Sequence, residues 1–136
     1  MKEQIFYPSF ALFGWISLML FYLGYIRIKA VRGREVRFSQ FKLQEGMPEK
    51  IQQVSNNVNN LFQLPTLFFV ACIFLYVMDR VSPFYLFLSW GFVLLRIVHS
   101  WVHVTENDVN LRFFSFALGL IFLIIIYSGL FIDLIK

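Results

Sequence analysis

The sequence predicts an all-α integral membrane protein, a single domain over residues 1–136 with four transmembrane helices in an up-down-up-down bundle. Composition is the first reason: of 136 residues 59% are hydrophobic, 20% aromatic and only 15% charged, with a mean hydropathy of +0.68. An ordinary soluble domain is far more polar. The second reason is that the apolar residues gather into four runs, each about as long as the roughly 20 helical residues that cross a bilayer core. The third is that the charges collect between those runs, where they report topology.

The first run covers residues 5–26, about 33 Å at roughly 1.5 Å per residue against a hydrocarbon core of about 30 Å. A cleaved leader would have a shorter apolar region and a small-residue cleavage site, so this run is expected to stay as an anchor. Pro8 suits a first helical turn, where its missing N–H costs nothing. Residues 27–46 are polar and basic, contain Gly33 and Gly46, and read as a loop or a frayed helix extension. The second helix is expected over residues 48–78, opening on Pro48, with Pro65 able to kink it by removing one backbone hydrogen bond. Ser82-Pro83 precedes the third, over residues 84–104. The fourth is expected over residues 112–133, where Ser115 and Gly119 form a small-xxx-small pair suited to close helix approach.

Seven of the twelve basic residues (Arg27, Lys29, Arg32, Arg34, Arg37, Lys42 and Lys50) lie between the first two runs. By the positive-inside bias that segment is cytoplasmic, both termini lie opposite, and the turn around residues 106–110 returns to the cytoplasm. No recognition motif accompanies the charge, so nucleic acid is not an expected partner. The single cysteine, Cys72, sits in an apolar helix and leaves no intrachain disulfide to form.

Two groups of polar residues stand out against this background. Arg96, His99 and His103 follow at helical spacings of three and four and share a face, with Glu106 next if the helix continues. A charged arginine in a membrane helix costs about 2.5 kcal/mol or more, so it normally faces a protein interior or a wet cavity and marks a functional site. In the second helix Gln52, Asn56, Asn59 and Gln63 recur at spacings of four, three and four, with Gln53, Asn57 and Asn60 beside them. An amide facing lipid at Gln63 would forfeit several kcal/mol of hydrogen bonding. His99, His103 and Glu106 have a spacing compatible with metal ligation, but no HExxH pattern is present and Arg96 adds positive charge to that face, so no metal is expected. The competing reading has these side chains only hydrogen-bonding neighbouring helices. No serine or cysteine triad is supported, since Cys72 lies in another helix.

The stretch Asn56-Asn57-Val58-Asn59-Asn60-Leu61-Phe62-Gln63-Leu64-Pro65, together with Arg96-Ile97-Val98-His99-Ser100 and Arg112, resembles the MAPEG family, the membrane-associated proteins of eicosanoid and glutathione metabolism. The likeness runs from about Pro48 to the end and is to the bacterial members, which implies an inner membrane. It also implies a homotrimer of four-helix subunits that binds glutathione as co-substrate between subunits near the cytoplasmic face. Carried over by position, Arg112 would stabilise the glutathione thiolate, Arg96 and His99 match the family's third-helix arginine and histidine, and Asn59 or Asn60 falls near its second-helix asparagine; Asn56, Gln63 and His103 beside them are expected to contribute to binding. Two positions depart from the family pattern: Gln63 stands where a glutamate usually precedes the proline, and His103 where a tyrosine is expected. An amide can only hydrogen-bond glutathione's ammonium where a carboxylate would pair with it. The expected function is therefore thiol binding, with glutathione transfer to lipophilic small molecules entering from the bilayer. The alternative is a non-catalytic trimeric scaffold or lipid-binding protein, in which Arg96 and Arg112 pair structurally or hold phosphates of membrane lipids.

Overall fold

The computed structural model describes residues 2–42 and 46–135; residues 43–45 of the expected basic loop lie outside the described residues. A 3-10 turn, Lys2–Ile5, leads into α1, Phe6–Arg32. This helix continues past Ile26 and takes Arg27, Lys29 and Arg32 with it. Arginine and lysine are good helix formers, and near a helix C-terminus their charge meets the negative end of the dipole. The helix stops where Arg34 adopts a left-handed backbone (φ 59°). There the Arg34 N–H donates to the Val31 carbonyl and that of Glu35 to Ala30, the bonding of a Schellman motif. A second 3-10 helix, Phe38–Lys42, follows.

The second span is not one helix. It divides into α2, Glu49–Leu61, and α3, Leu64–Val77, with Phe62 and Gln63 between them. Pro65 lacks an N–H and its ring crowds the carbonyl four residues back, at Leu61. The chain responds by tightening: the N–H groups of Phe62 and Gln63 bond Asn59 and Asn60, three residues back rather than four. Gln63 leaves the helical region, at φ −90° and ψ −90°.

The third span is α4, Pro83–Val104, whose N-cap Ser82 accepts from the Tyr85 N–H at 3.4 Å. The fourth, α5, covers Val109–Leu134 and starts ahead of Arg112, because the Asp108 carboxylate accepts from the Leu111 N–H at 2.8 Å. An aspartate in that place satisfies one of the free N–H groups and complements the helix dipole.

Four helices are long and apolar enough to cross a membrane, over Lys2–Arg32, Glu49–Val77, Pro83–Val104 and Val109–Leu134. They form an up-down-up-down bundle, and no strand occurs among the described residues. The protein is an integral, multi-pass membrane protein. Its core joins Leu12, Ile16 and Met19 of α1 to Val54 and Val58 of α2, Phe68 of α3, Phe92 of α4 and Ile126 of α5. The Phe68 and Phe92 rings stack with centroids 4.6 Å apart. One end of the bundle is tied by Lys2–Asp79 at 3.1 Å and Arg80–Asp133 at 3.6 Å. The opposite end holds the basic segment and the polar cluster of α4.

Candidate functional site

The site grows from the last turns of α4 and the first turn of α5. Arg96 is 0% exposed, because the face it shares with His99 and His103 turns inward against α2 and α5. Its Nη1 donates to the Asn60 side-chain oxygen at a long 3.4 Å, and the guanidinium lies 5.0 Å from the centre of the Phe116 ring. Its Nε and Nη2 are buried and find no partner among the described residues. No carboxylate among those residues forms an ion pair with it either. A buried charge held by one long hydrogen bond and one aromatic face carries a desolvation penalty of several kcal/mol that these contacts only partly offset.

His99 faces the Arg112 backbone carbonyl through Nδ1, at 2.9 Å. A carbonyl can only accept, so Nδ1 bears the proton and Nε2 is the acceptor; that Nε2 is buried and unpartnered. The His103 ring meets His99 edge-on, with centroids 5.8 Å apart, and its Nδ1 is also unpartnered. Arg112 donates through Nη1 to the Asn107 side-chain oxygen at 2.6 Å and keeps an unpartnered Nε. It stands in the first turn of α5, where the free N–H groups create a positive end that disfavours a cation and favours an anion.

The expected site residues thus separate into two sets. Arg96, Asn60, His99, His103 and Arg112 come together at this end of the bundle. Asn56, Asn59 and Gln63 are exposed on the outer side of the second span, with Gln52, and meet none of them. Glu106 lies beyond the α4 terminus, in an exposed turn, so it does not continue the histidine stripe. Among the described residues no three His, Cys, Asp or Glu side chains converge as metal ligands.

Several partners were not anticipated. Asn57 is buried and donates to the Ser100 hydroxyl at 2.9 Å, which binds α2 to α4 inside the core. Lys50 donates to the Val104 carbonyl, and Gln53 to the His103 carbonyl at 2.7 Å. The first turns of α2 thereby cap the free carbonyls at the end of α4 and hold the helix that carries both histidines. The signal for Asn57 was present in the chain. Ile51, Val54, Val58 and Leu61 mark the inward face of α2, and 100° per residue then puts Asn57 at its edge and Asn56 and Asn59 on the far side.

A buried arginine and two histidines at the mouth of a four-helix membrane bundle coincide with the family comparison, in which the sequence model of the MAPEG family matches residues 5–132. The chain belongs to the MAPEG family. No curated protein and no solved structure matches it significantly. In this MAPEG chain the match extends well beyond the Pro48-to-end resemblance and takes in all of α1.

Proposed function

We propose that this MAPEG protein binds glutathione, or a related thiol, at the cytoplasmic end of the bundle and adds its thiolate to lipophilic electrophiles that arrive from the bilayer. The observation that carries this reading is the Arg96 guanidinium, fully buried with Nε and Nη2 unpartnered. Natural proteins seldom keep such a donor set unless something acidic meets it, and glutathione offers two carboxylates and a thiol. Arg112, at the positive end of α5, would lower the cost of the thiolate, the reactive form of the nucleophile. In the transfer step the sulfur attacks an electrophilic carbon, a C–S bond forms, the leaving group departs with its electron pair, and the thiol proton goes to solvent.

The exposed amides Gln52, Asn56, Asn59 and Gln63 fit a second copy of the chain better than lipid, because an unpaired amide in hydrocarbon costs several kcal/mol. A homotrimer would pair them and border the thiol site with a neighbouring subunit. The test is titration calorimetry of glutathione into the detergent-solubilised protein, followed by conjugation of a chlorinated nitrobenzene with release of chloride. Binding with conjugation supports the proposal in full. Binding without conjugation removes the transfer step and leaves a thiol-binding scaffold, whereas no heat and no thiolate absorbance at millimolar glutathione refutes it.

A further inference from the structure

The basic end of α1 carries a feature that the thiol site does not use. A cavity of about 360 Å³ is walled by Ile28, Val31, Phe38 and Phe41 and bounded by Arg27 and Arg32. Helical spacing sets Arg27 beside Val31 and Ile28 beside Arg32. The turn after Gly33 then folds the chain back, so that the 3-10 helix lays its two phenylalanines against that face. Arg27 is held in place from two sides: Nη2 donates to the Ser55 hydroxyl at 3.0 Å, and the guanidinium lies 5.3 Å from the centre of the Phe41 ring. Its Nε remains buried and unpartnered. Arg32 stands exposed at the rim. A second cavity, of about 270 Å³, shares Ile28 and Arg32 and adds Tyr25 and Lys29. Two troughs therefore meet at one pair of residues.

Charge and exposure point to the same occupant. Residues 27–50 hold seven Lys or Arg against Glu35, Glu45 and Glu49, a local balance of +4 that equals the net charge of the whole chain. Phe38 is 81% exposed in the 3-10 helix that follows the first span, and it shares its cavity with exposed Ile28. Aromatic rings in such places sit at the headgroup level of a bilayer, and basic clusters there attract anionic headgroups.

We propose that this groove binds an anionic phospholipid, its phosphate held by Arg27 and Arg32 and its two acyl chains entering the two troughs. Inorganic phosphate would use the guanidinium groups but leave the phenylalanine walls without a role. A zwitterionic lipid would bring a further positive charge to an end that already has a surplus. The proposal is independent of the thiol reading.

Native mass spectrometry of the full chain in mild detergent tests it, with phosphatidylglycerol, phosphatidylcholine and inorganic phosphate as probes. Phosphatidylglycerol adducts should survive collisional activation that strips phosphatidylcholine. Arg32→Gln should weaken phosphatidylglycerol about fivefold, the worth of roughly one basic residue at an anionic surface. Phe38→Ser should also weaken it, whereas Arg34→Gln, which removes the same charge outside the groove, should change little. Equal retention of the two lipids overturns the proposal before any variant is needed. An Arg34→Gln loss as large as that of Arg32→Gln would make the effect diffuse attraction and overturn it too. Displacement of the lipid by equimolar inorganic phosphate would make this a phosphate site instead, and displacement by glutathione would assign the groove to the thiol site.

Discussion

At the scale of the residue, Arg96 separates stability from function. A guanidinium with buried and unpartnered Nε and Nη2 is poorly compensated, and replacing a buried charge by an apolar side chain of similar size is often neutral or stabilising. Arg96→Met should therefore leave the thermal midpoint in detergent unchanged or raise it, while abolishing glutathione binding by calorimetry. Arg96→Ala should lose about 3 kcal/mol, because truncation also opens a cavity between α2 and α5. A large loss of stability in Arg96→Met would show instead that the arginine is there to hold helices together. Arg112 calls for the opposite contrast. It is half-exposed and bonded to the turn residue Asn107, so Arg112→Ala should shift stability by about 1 kcal/mol at most yet suppress the ultraviolet absorbance of thiolate when glutathione is added. Retention of that signal would remove Arg112 from the reaction.

At the scale of the element, α4 and α5 make the tightest pairing, and two glycines permit it. A Cβ built on Gly91 would come within 2.3 Å of Phe122 Cε2, and one on Gly129 within 2.2 Å of the Tyr85 hydroxyl. The small-residue pair legible in the sequence, Ser115 and Gly119, belongs to the right helix but is not where space runs out: a Cβ on Gly119 meets Leu95 and Phe92 at an ordinary 3.8 Å. The aromatic partner of Gly91 comes from α5 and that of Gly129 from α4, so spacing within either helix alone holds no trace of the pairings. Gly91→Leu should cost about 1–3 kcal/mol through overpacking, read as a lower thermal midpoint, with Gly119→Ala close to neutral as the control. The caps from α2 onto α4 were equally hidden. Lys50 read as one of the charges of the basic segment and Gln53 as one of the second-helix amides, and only the antiparallel packing brings them to the carbonyls of Val104 and His103.

At the scale of the whole molecule, four spans were legible because apolar run length is a strong, local signal. The basic segment was harder to read. Its charges left a loop and a helix extension both open after Ile26, and Arg27 to Arg32 are helical since long basic side chains can carry their charge outward while the backbone stays bonded. Which residues of the amide-rich stretch face inward depended on the α2 core positions, and the reach of His99 to a carbonyl of α5 depended on tertiary packing alone. Topology and assembly are open to direct measurement. Cysteine placed at position 42 should resist an impermeant thiol reagent in intact cells if the basic end faces the cytoplasm; ready labelling from outside would invert the protein. Native mass spectrometry should show three chains, and Asn59→Leu combined with Gln63→Leu should weaken that assembly if those amides pair across subunits. A stable monomer would leave the exposed amides without an occupant.

The interruption at Phe62 and Gln63 also has a mechanical meaning. A continuous helix is a stiff rod, whereas this span is two levers meeting at a pivot, with the Leu61 carbonyl opposite a nitrogen that carries no proton. The outer lever is fastened to α5, where the Tyr127 hydroxyl donates to the Leu67 carbonyl at 2.9 Å. The inner lever is fastened to α4 through Asn57, Gln53 and Lys50. Small rotations of the polar half can then be absorbed at the pivot without disturbing the half embedded among apolar helices. Amide hydrogens around Phe62 and Gln63 should exchange with deuterium well before those of Val58 or Phe68, and uniform protection along the span would mean that the pivot is rigid.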